Sequence, residues 1–198
     1  MSQGKGEQVY RTERFDVMEV DLKKRSGGAL RRGYIRTADA VVVLPIMPAD
    51  KEKGETEEKV VLIRNERFAL GKVLWELPAG TLERVKNEAD NGGDDGVKSG
   101  EWEDIDLAAG RELAEETGYV AGRIERMSGF YCCPGMVTEK LHGYLARDLR
   151  FVGQKLDETE QITTVVVPMS KTMEMIQAGE IEDAKSIALI LFYSVFKS

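Results

Sequence analysis

Short apolar runs separated by polar turns fill the first half of the chain and predict β-strands. Residues 40–44 (AVVVL) and 60–63 (VVLI) are apolar at every position and mostly β-branched, a pattern typical of strands buried on both faces. A turn at Ser26-Gly27-Gly28 and a loop over residues 45–58, which contains Pro and Gly, interrupt the pattern. The strands predicted here are residues 15–22, 31–38, 40–44, 60–63 and 74–77, the last ending at Pro78.

The second half of the chain mixes helical and extended patterns. Asp104 is placed to cap a helix over residues 105–117, and Gly118 stands where a helix commonly ends. Residues 87–100 are rich in Gly, Asp and Asn and predict a mobile loop ahead of that helix. Further strands are predicted at 124–131, 140–149 and 163–167, and further helices at 169–177 and 183–197. Because strands and helices do not alternate regularly, we expect an α+β fold with a mixed sheet flanked by helices, not a doubly wound parallel sheet.

Composition narrows the class of protein. The 198 residues have room for one domain of about 150 residues plus an extension. The net charge of -7 argues against a nucleic-acid-binding surface, no apolar run approaches the length of a membrane span, and the N-terminus lacks the apolar core of a signal peptide. Cys132 and Cys133 are adjacent, where a disulfide would be strained, and they predict a reduced, cytoplasmic setting. A structural zinc site is disfavoured, so His142, the single histidine, is expected to be structural or on the surface.

An acidic cluster in the predicted helix 105–117 is the main candidate for chemistry. Glu112, Glu115 and Glu116 are spaced i, i+3 and i+4, which places the three carboxylates on one helix face within about one turn. Such like charges repel, and a hard divalent cation such as Mg²⁺, which prefers oxygen ligands, would offset the repulsion. The alternative is an ordinary solvated acidic face, since Glu is a good helix former.

The neighbouring residues resemble the Nudix box, G-x5-E-x7-R-E-U-x-E-E-x-G-U, in which U is a bulky apolar residue. The family has its Glu six positions after the Gly, whereas Glu103 follows Gly80 by 23 positions, so a 17-residue insertion falls within about 84–101. We interpret it as a mobile or lid-like surface loop. An EF-hand-like Ca²⁺ loop beginning at Asp90 is disfavoured, because Asp95 stands where the sharp turn needs Gly. The matching residues are Gly80, Glu103, Arg111, Glu112, Leu113, Glu115, Glu116, Gly118 and Tyr119.

The resemblance implies the Nudix fold and a hydrolase that cleaves a diphosphate linked to another moiety, using Mg²⁺ or Mn²⁺. Because the diphosphate and the carboxylates are all anionic, cations must screen them. In this reading Arg111 acts with the catalytic residues by orienting the glutamates through ion pairs, and Glu103 is a structural partner. Glu115 serves both as a catalytic residue and as a ligand. The implied metal ligands are Glu112, Glu115, Glu116 and the backbone carbonyl of Ala79.

Segments outside the box resemble the ADP-ribose pyrophosphatase and nucleoside-diphosphate-sugar hydrolase branch. They are residues 76–80 (ELPAG), 131–135 (YCCPG) and 179–186 (GEIEDAKS). The branch implies a small N-terminal β extension, residues 1–38, that makes a homodimer, followed by the hydrolase domain, residues 39–198.

The same branch implies roles for four further residues. Arg67 and Glu139 are candidate substrate-binding residues, Arg67 because a guanidinium can hold a phosphate bidentately. A glutamate on the loop 156–161 would be the general base for the attacking water; its position favours Glu158, with Glu160 second. For each residue the alternative is a charge with no role in catalysis.

The sequence therefore predicts Mg²⁺-dependent hydrolysis of ADP-ribose or a related nucleoside diphosphate sugar, giving AMP or another nucleoside monophosphate and a sugar phosphate. A GDP-mannose hydrolase is the near alternative, because both kinds of enzyme share the Pro-Gly and Thr-Glu neighbourhood of residues 134–139. A non-catalytic Nudix-fold nucleotide sensor is the alternative of another class, although all the metal glutamates are present. A structural protein with an acidic helix is a third alternative.

Overall fold

The computed structural model of the protein describes residues 6–85 and 102–196, which form ten strands and three α-helices. A short 3-10 helix covers Lys51–Lys53. The helices are α1 (Ile105–Thr117), α2 (Met169–Gln177) and α3 (Ala184–Phe196). The strands are β1 (Glu7–Arg11), β2 (Asp16–Lys23), β3 (Ala29–Arg36), β4 (Ala40–Met47), β5 (Lys59–Arg67), β6 (Lys72–Glu76), β7 (Ala79–Thr81), β8 (Tyr119–Phe130), β9 (Leu141–Phe151) and β10 (Ile162–Pro168).

The strands form two sheets. The larger sheet is mixed and has the order β10-β5-β4-β9-β8, with β6 added beside β5 and β7 beside β4. Strands β4 and β9 run parallel, and the other pairs are antiparallel. Strands β1, β2 and β3 form a separate antiparallel sheet. The α+β class with a mixed sheet is therefore confirmed.

Strand β4 explains why the sheet lies between helices. Its residues Val42, Leu44 and Ile46 pack into a core with residues of α2 and α3, whereas Val41 and Val43 pack into a second core with residues of α1. Successive side chains of a strand point to opposite faces, so a strand covered on both faces must be apolar at every position. The unbroken run that begins at Ala40 is thus the sequence signature of this sandwich.

The strand bounds differ from the sequence expectations where tertiary pairing overrides a local signal. Pro45 was expected to begin a loop but lies inside β4, where it pairs with Ala146. Alternate backbone N–H groups of a strand point the same way, and the N–H of Val43 donates to Pro78 O. The N–H that Pro45 lacks would point to the same side of β4 as the N–H of Val43. Pro45 lies between the segment of β4 that pairs with β7 and the segment that pairs with β5, so no strand partner there needs a donor.

Three other differences have the same origin. Residues 79–81 form β7, which continues past the Pro78 breaker because it pairs with β4. The polar segment that forms β1 was not expected to be a strand and pairs with β2. Strand β8 begins at Tyr119, directly after the helix, rather than at residue 124.

The predicted loop 87–100 and the Ca²⁺-loop alternative at 90–101 lie outside the described residues, but the residues on either side, 83–85 and 102–103, are described. Arg84 and Trp102 form an antiparallel β-bridge, and the guanidinium carbon of Arg84 lies 4.4 Å from the centre of the Trp102 ring. Glu103 N donates to Glu83 O at 2.9 Å, and Glu83 N donates to Glu103 Oε1 at 2.8 Å. The two segments that flank the undescribed residues therefore lie side by side and are hydrogen-bonded to each other. Helix α1, which follows them, is undisturbed.

Within the two described stretches, no helix is long and apolar enough to cross a bilayer. Cys132 and Cys133 are free and exposed. His142 is buried in β9, with Nε2 at 3.1 Å from Asp39 Oδ2.

Candidate active site

Helix α1 carries the acidic cluster and is capped at both ends. The side chain of Asp104 accepts hydrogen bonds from the backbone N–H groups of Asp106 and Leu107, at 2.9 and 3.2 Å. Gly118 ends the helix with a φ of 75°, a left-handed conformation that a side chain disfavours. A Cβ at this position would also lie 2.7 Å from the ring of Phe151. These caps fix the two ends of the helix that carries the acidic turn.

The acidic turn faces β7. Oε2 of Glu116 accepts a hydrogen bond of 2.8 Å from the backbone N–H of Ala79. Gly80 packs so closely against Glu112 that a Cβ on Gly80 would overlap the carboxyl group. Glu112 and Glu116 are buried, whereas the side chain of Glu115 is 37% exposed.

Burial raises the pKa of each of the two inner glutamates. Desolvation raises the pKa of Glu112 to about 7, against the opposing charge of Arg111. Desolvation raises the pKa of Glu116 to about 8, although the Ala79 N–H favours its charged form, and the charge of Glu112 raises it further. The charge of Glu160 contributes to both increases, which places that carboxylate in the same electrostatic environment.

The donor set fits a divalent cation. Two buried carboxylates facing one glycine-lined space are costly as neighbouring anions, and a dication would neutralise them. Among the described residues, no group of three or more His, Cys, Asp or Glu side chains is already gathered around a metal position. Oε1 of Glu112 instead lies 2.9 Å from Arg111 Nη1, so it would have to rotate to join Glu116 around an ion.

Arg111 is the centre of a network that holds the outer side of the cluster. Its guanidinium donates to both carboxylate oxygens of Glu103, from Nε at 3.2 Å and from Nη2 at 2.6 Å. Nη1 donates to Glu115 Oε2 at 3.0 Å. These contacts hold the pKa of Arg111 above its ordinary value despite partial burial, which would lower it. A planar guanidinium with several fixed partners is suited to orient carboxylates.

A cavity of about 670 Å³ opens over the acidic turn. Its lining comes from distant parts of the chain. Residues of β5, β6, β7 and α1 and of the loop before β10 all contribute to it. Glu158 is exposed in the turn 158–159 and is not among the residues that line the cavity. Glu160 lines it, and Oε2 of Glu160 accepts a hydrogen bond from the Asp157 N–H at 3.1 Å. The site residues predicted from sequence that line the cavity are Arg67, Ala79, Arg111, Glu112, Glu115, Glu116, Glu139 and Glu160.

Similar proteins cover nearly the whole chain. No family model matches it. It is 28% identical to the ADP-ribose pyrophosphatase of Bacillus subtilis, over 94% of this chain and 88% of that protein. It is 27% identical to the methanol dehydrogenase activator of Bacillus methanolicus, with 95% and 89% coverage, and 27% identical to the GDP-mannose pyrophosphatase of Salmonella typhimurium, with 86% and 82% coverage.

The crystal structure of an ADP compounds hydrolase has the same fold. It matches with a TM-score of 0.71 and 23% identity, over 98% of this chain and 91% of that one. These relatives support the resemblance to the Nudix family and its ADP-ribose pyrophosphatase branch.

A second charged network, which the sequence did not predict, lies in the same cavity. Arg67 donates to Glu76 through Nε at 2.8 Å and Nη2 at 2.6 Å. Lys185, at the start of α3, donates to Glu76 Oε2 at 2.5 Å and lies 3.0 Å from Asp183 Oδ2. Burial would raise the pKa of Glu76, but Arg67 and Lys185 outweigh burial and hold it below the ordinary value.

Three members of that network lie in segments that carry the resemblance to the ADP-ribose pyrophosphatase branch. Glu76 begins the ELPAG segment, and Asp183 and Lys185 belong to the GEIEDAKS segment, but neither segment indicated that the two would meet. Glu139 is half-buried near Lys185, and burial raises its pKa. Arg14 and Lys155 also line the cavity, and no sequence signal pointed to either.

Proposed function

We propose that this Nudix protein hydrolyses the diphosphate linkage of ADP-ribose or a related nucleoside diphosphate sugar, releasing a nucleoside monophosphate and a sugar phosphate. The observation that carries the proposal is the pair of buried carboxylates, Glu112 and Glu116, facing Gly80 at the wall of a cavity of about 670 Å³. Such a volume suits a ligand of nucleotide size. The relatives named for ADP-ribose and GDP-mannose pyrophosphatase activity support the substrate class.

The proposed cofactor is Mg²⁺, with Mn²⁺ as a substitute. The proposed ligands are Glu112, Glu115, Glu116 and the backbone carbonyl of Ala79. A bound dication supplies charge neutralisation for the diphosphate and for the leaving phosphate. Arg111 positions Glu115 and Glu112 for this role through its hydrogen bond and ion pair with them. Glu103 holds the other edge of the guanidinium and does not touch substrate.

The general base is proposed to be Glu160. It would take a proton from water while the water oxygen attacks phosphorus and the P–O bond to the leaving phosphate breaks. The sequence position favours Glu158, but two observations support Glu160: it lines the cavity, and its charge acts on Glu112 and Glu116.

Arg67 and Glu139 are proposed to bind substrate. The side chain of Arg67 is 39% exposed, and its Nε and Nη2 both donate to Glu76. Nη1 can therefore donate to a phosphate or sugar oxygen. Glu139 can accept hydrogen bonds from sugar hydroxyls, since it lines the same cavity.

A GDP-mannose hydrolase is the second candidate, supported by the 27% identity to the enzyme of Salmonella typhimurium. A non-catalytic sensor is less well supported, because the three glutamates, Arg111 and a candidate base are all present at one cavity. The two hydrolase candidates differ only in the base and sugar that the cavity accepts.

The small sheet β1–β3 is proposed to be an N-terminal extension that forms a homodimer, ahead of a hydrolase domain from residue 39. Val9, Tyr10, Leu22 and Leu30 in this sheet are exposed, which supports an interface. A cytoplasmic location is proposed from the two free, exposed thiols.

A substrate panel tests the function. ADP-ribose, GDP-mannose, UDP-glucose, NADH, diadenosine polyphosphates and capped RNA would each be assayed with Mg²⁺ and with Mn²⁺, and products identified by mass. We expect the highest kcat/KM for ADP-ribose and cleavage between the two phosphates. A highest value for GDP-mannose would favour the second candidate. Binding of ADP-ribose without turnover of any compound would favour the sensor.

A further inference from the structure

Arg14 stands in a hydrogen-bonded turn between β1 and β2, at the edge of the cavity. Oγ1 of Thr12 accepts hydrogen bonds from the N–H groups of Arg14 and Phe15, at 3.2 and 2.9 Å, and donates to Phe15 O at 2.9 Å. Thr37 Oγ1 donates to Arg14 O at 3.3 Å. The backbone of Arg14 is thereby held on both sides, while its side chain is exposed and lines the cavity.

The charges around the cavity are unbalanced. Among the described residues that line it, nine are Asp or Glu and five are Arg or Lys. Three of the five cations already have carboxylate partners: Arg67 with Glu76, Arg111 with Glu103, and Lys185 with Glu76. A cavity with this excess of carboxylates repels a diphosphate unless cations are available to the ligand.

Arg14 is one of two cations that remain available. Within the part of the chain that the structure describes, neither Arg14 nor Lys155 forms an ion pair with another side chain. They differ in origin and in shape. Lys155 belongs to the loop after β9 and its backbone N–H donates to Glu115 O at 3.1 Å. Arg14 comes from the small N-terminal sheet and presents a planar fork of donors, which matches two oxygens of a phosphate.

We propose that Arg14 binds the non-bridging oxygens of the substrate's diphosphate, and that the N-terminal sheet thereby completes the active site of its own chain. This inference rests on the proposed function, because it takes a nucleoside diphosphate sugar as the ligand. Arg14 contributes to binding, and Glu160 and the glutamates of α1 carry the chemistry.

Substitution of Arg14 separates these contributions. In Arg14→Ala we expect KM for ADP-ribose to rise by about 10- to 100-fold, the loss typical of charge-assisted hydrogen bonds, while kcat stays within about twofold. The Kd of the non-hydrolysable α,β-methylene-ADP-ribose, measured by calorimetry with Mg²⁺, should rise by the same factor. Arg14→Lys should recover only part of the affinity, because an ammonium keeps the charge but loses the fork.

Arg25 is the matched control, since it is an exposed arginine of the same small sheet, in the turn between β2 and β3, and does not line the cavity. Arg25→Ala should bind and turn over like the wild type. The inference is overturned if Arg14→Ala keeps the wild-type KM and Kd, or if Arg25→Ala loses as much. If the wild type neither binds the analogue nor cleaves any diphosphate in the panel, the proposed function itself has failed.

Discussion

The backbone N–H of Ala79 donates to Oε2 of Glu116 at 2.8 Å, and this hydrogen bond joins the acidic turn of α1 to the strand that follows Pro78. It fixes one buried carboxylate on the strand that also supplies Gly80, which lies against Glu112. Ala79 and Gly80, which are distant in sequence from the helix, thus contact its two buried carboxylates.

Glu116→Gln should abolish Mg²⁺-dependent hydrolysis while the fold remains intact. The amide keeps the size and can still accept from Ala79, but it loses the negative charge that a dication needs. A loss of several kcal/mol of transition-state stabilisation corresponds to a decrease in kcat of at least about 100-fold. Steady-state kinetics and circular dichroism would be measured together. Glu125→Gln, an exposed carboxylate on β8, is the control, and unchanged turnover in Glu116→Gln would remove the metal role.

Glu160→Gln should lower kcat by about 10²- to 10⁴-fold with little change in KM, because a positioned base acts in the transition state. Glu158→Gln should behave like the wild type. The two variants are each other's controls, since both remove one carboxylate from the same loop. The reverse result would return the base to Glu158, the residue that the sequence position favours.

Glu76→Gln should destabilise the fold by about 3–5 kcal/mol, because it leaves Arg67 without its buried counter-ion and Lys185 with Asp183 alone. Denaturant unfolding would measure the change. Glu66→Gln, an exposed carboxylate on β5, should change stability little. An equal stability of Glu76→Gln and the wild type would show that the network contributes nothing to folding.

The same residue gives a pH dependence with a defined sign. The pKa of Glu76 is lower in the folded protein than in the unfolded chain, where it is about 4.3. Its contribution to stability is therefore complete above about pH 5 and is lost as the pH falls through the folded pKa. Melting temperatures measured between about pH 6 and 3 should fall less steeply for Glu76→Gln than for the wild type. Parallel curves for the two proteins would contradict this assignment.

Gly80→Ala should weaken Mg²⁺ binding and activity, because the added methyl group occupies the space of the Glu112 carboxyl group. Isothermal calorimetry with Mg²⁺ would report the binding directly. Gly135→Ala is a suitable control, since a Cβ at Gly135 meets nothing within 4 Å. Wild-type affinity in Gly80→Ala would mean that Glu112 turns away from β7 when an ion binds.

Dimer formation is tested by mass in solution. Light scattering should give twice the mass of the 22.1 kDa chain, and a Tyr10→Lys, Leu30→Lys variant should shift the mass toward the monomer. Both side chains are exposed in the small sheet, so folding should be preserved. A monomeric mass for the wild type would leave the exposed face of that sheet without the proposed partner.

The elements with strong local signals were predicted well. Helix α1 has the bounds that Asp104 and Gly118 indicate, and the apolar runs at 40–44 and 60–63 lie in strands buried on both faces. Strand β1 was missed because most of its residues are polar, and β7 because it is short. Pairing with β2 makes β1 a strand, and pairing with β4 does the same for β7. Local propensity is weak wherever a neighbouring strand supplies the hydrogen bonds.

The sequence by itself determined the acidic turn, since three glutamates at helical spacing share a face whatever the rest of the chain does. It also determined the sandwich, through a strand that is apolar at every position. Only the tertiary structure decided that Glu160 rather than Glu158 lines the cavity, that Lys185 meets Glu76, and that Arg14 reaches the site from the N-terminal sheet. Those relationships join residues that are distant in sequence, and helical or strand periodicity carries no information about which distant loops meet.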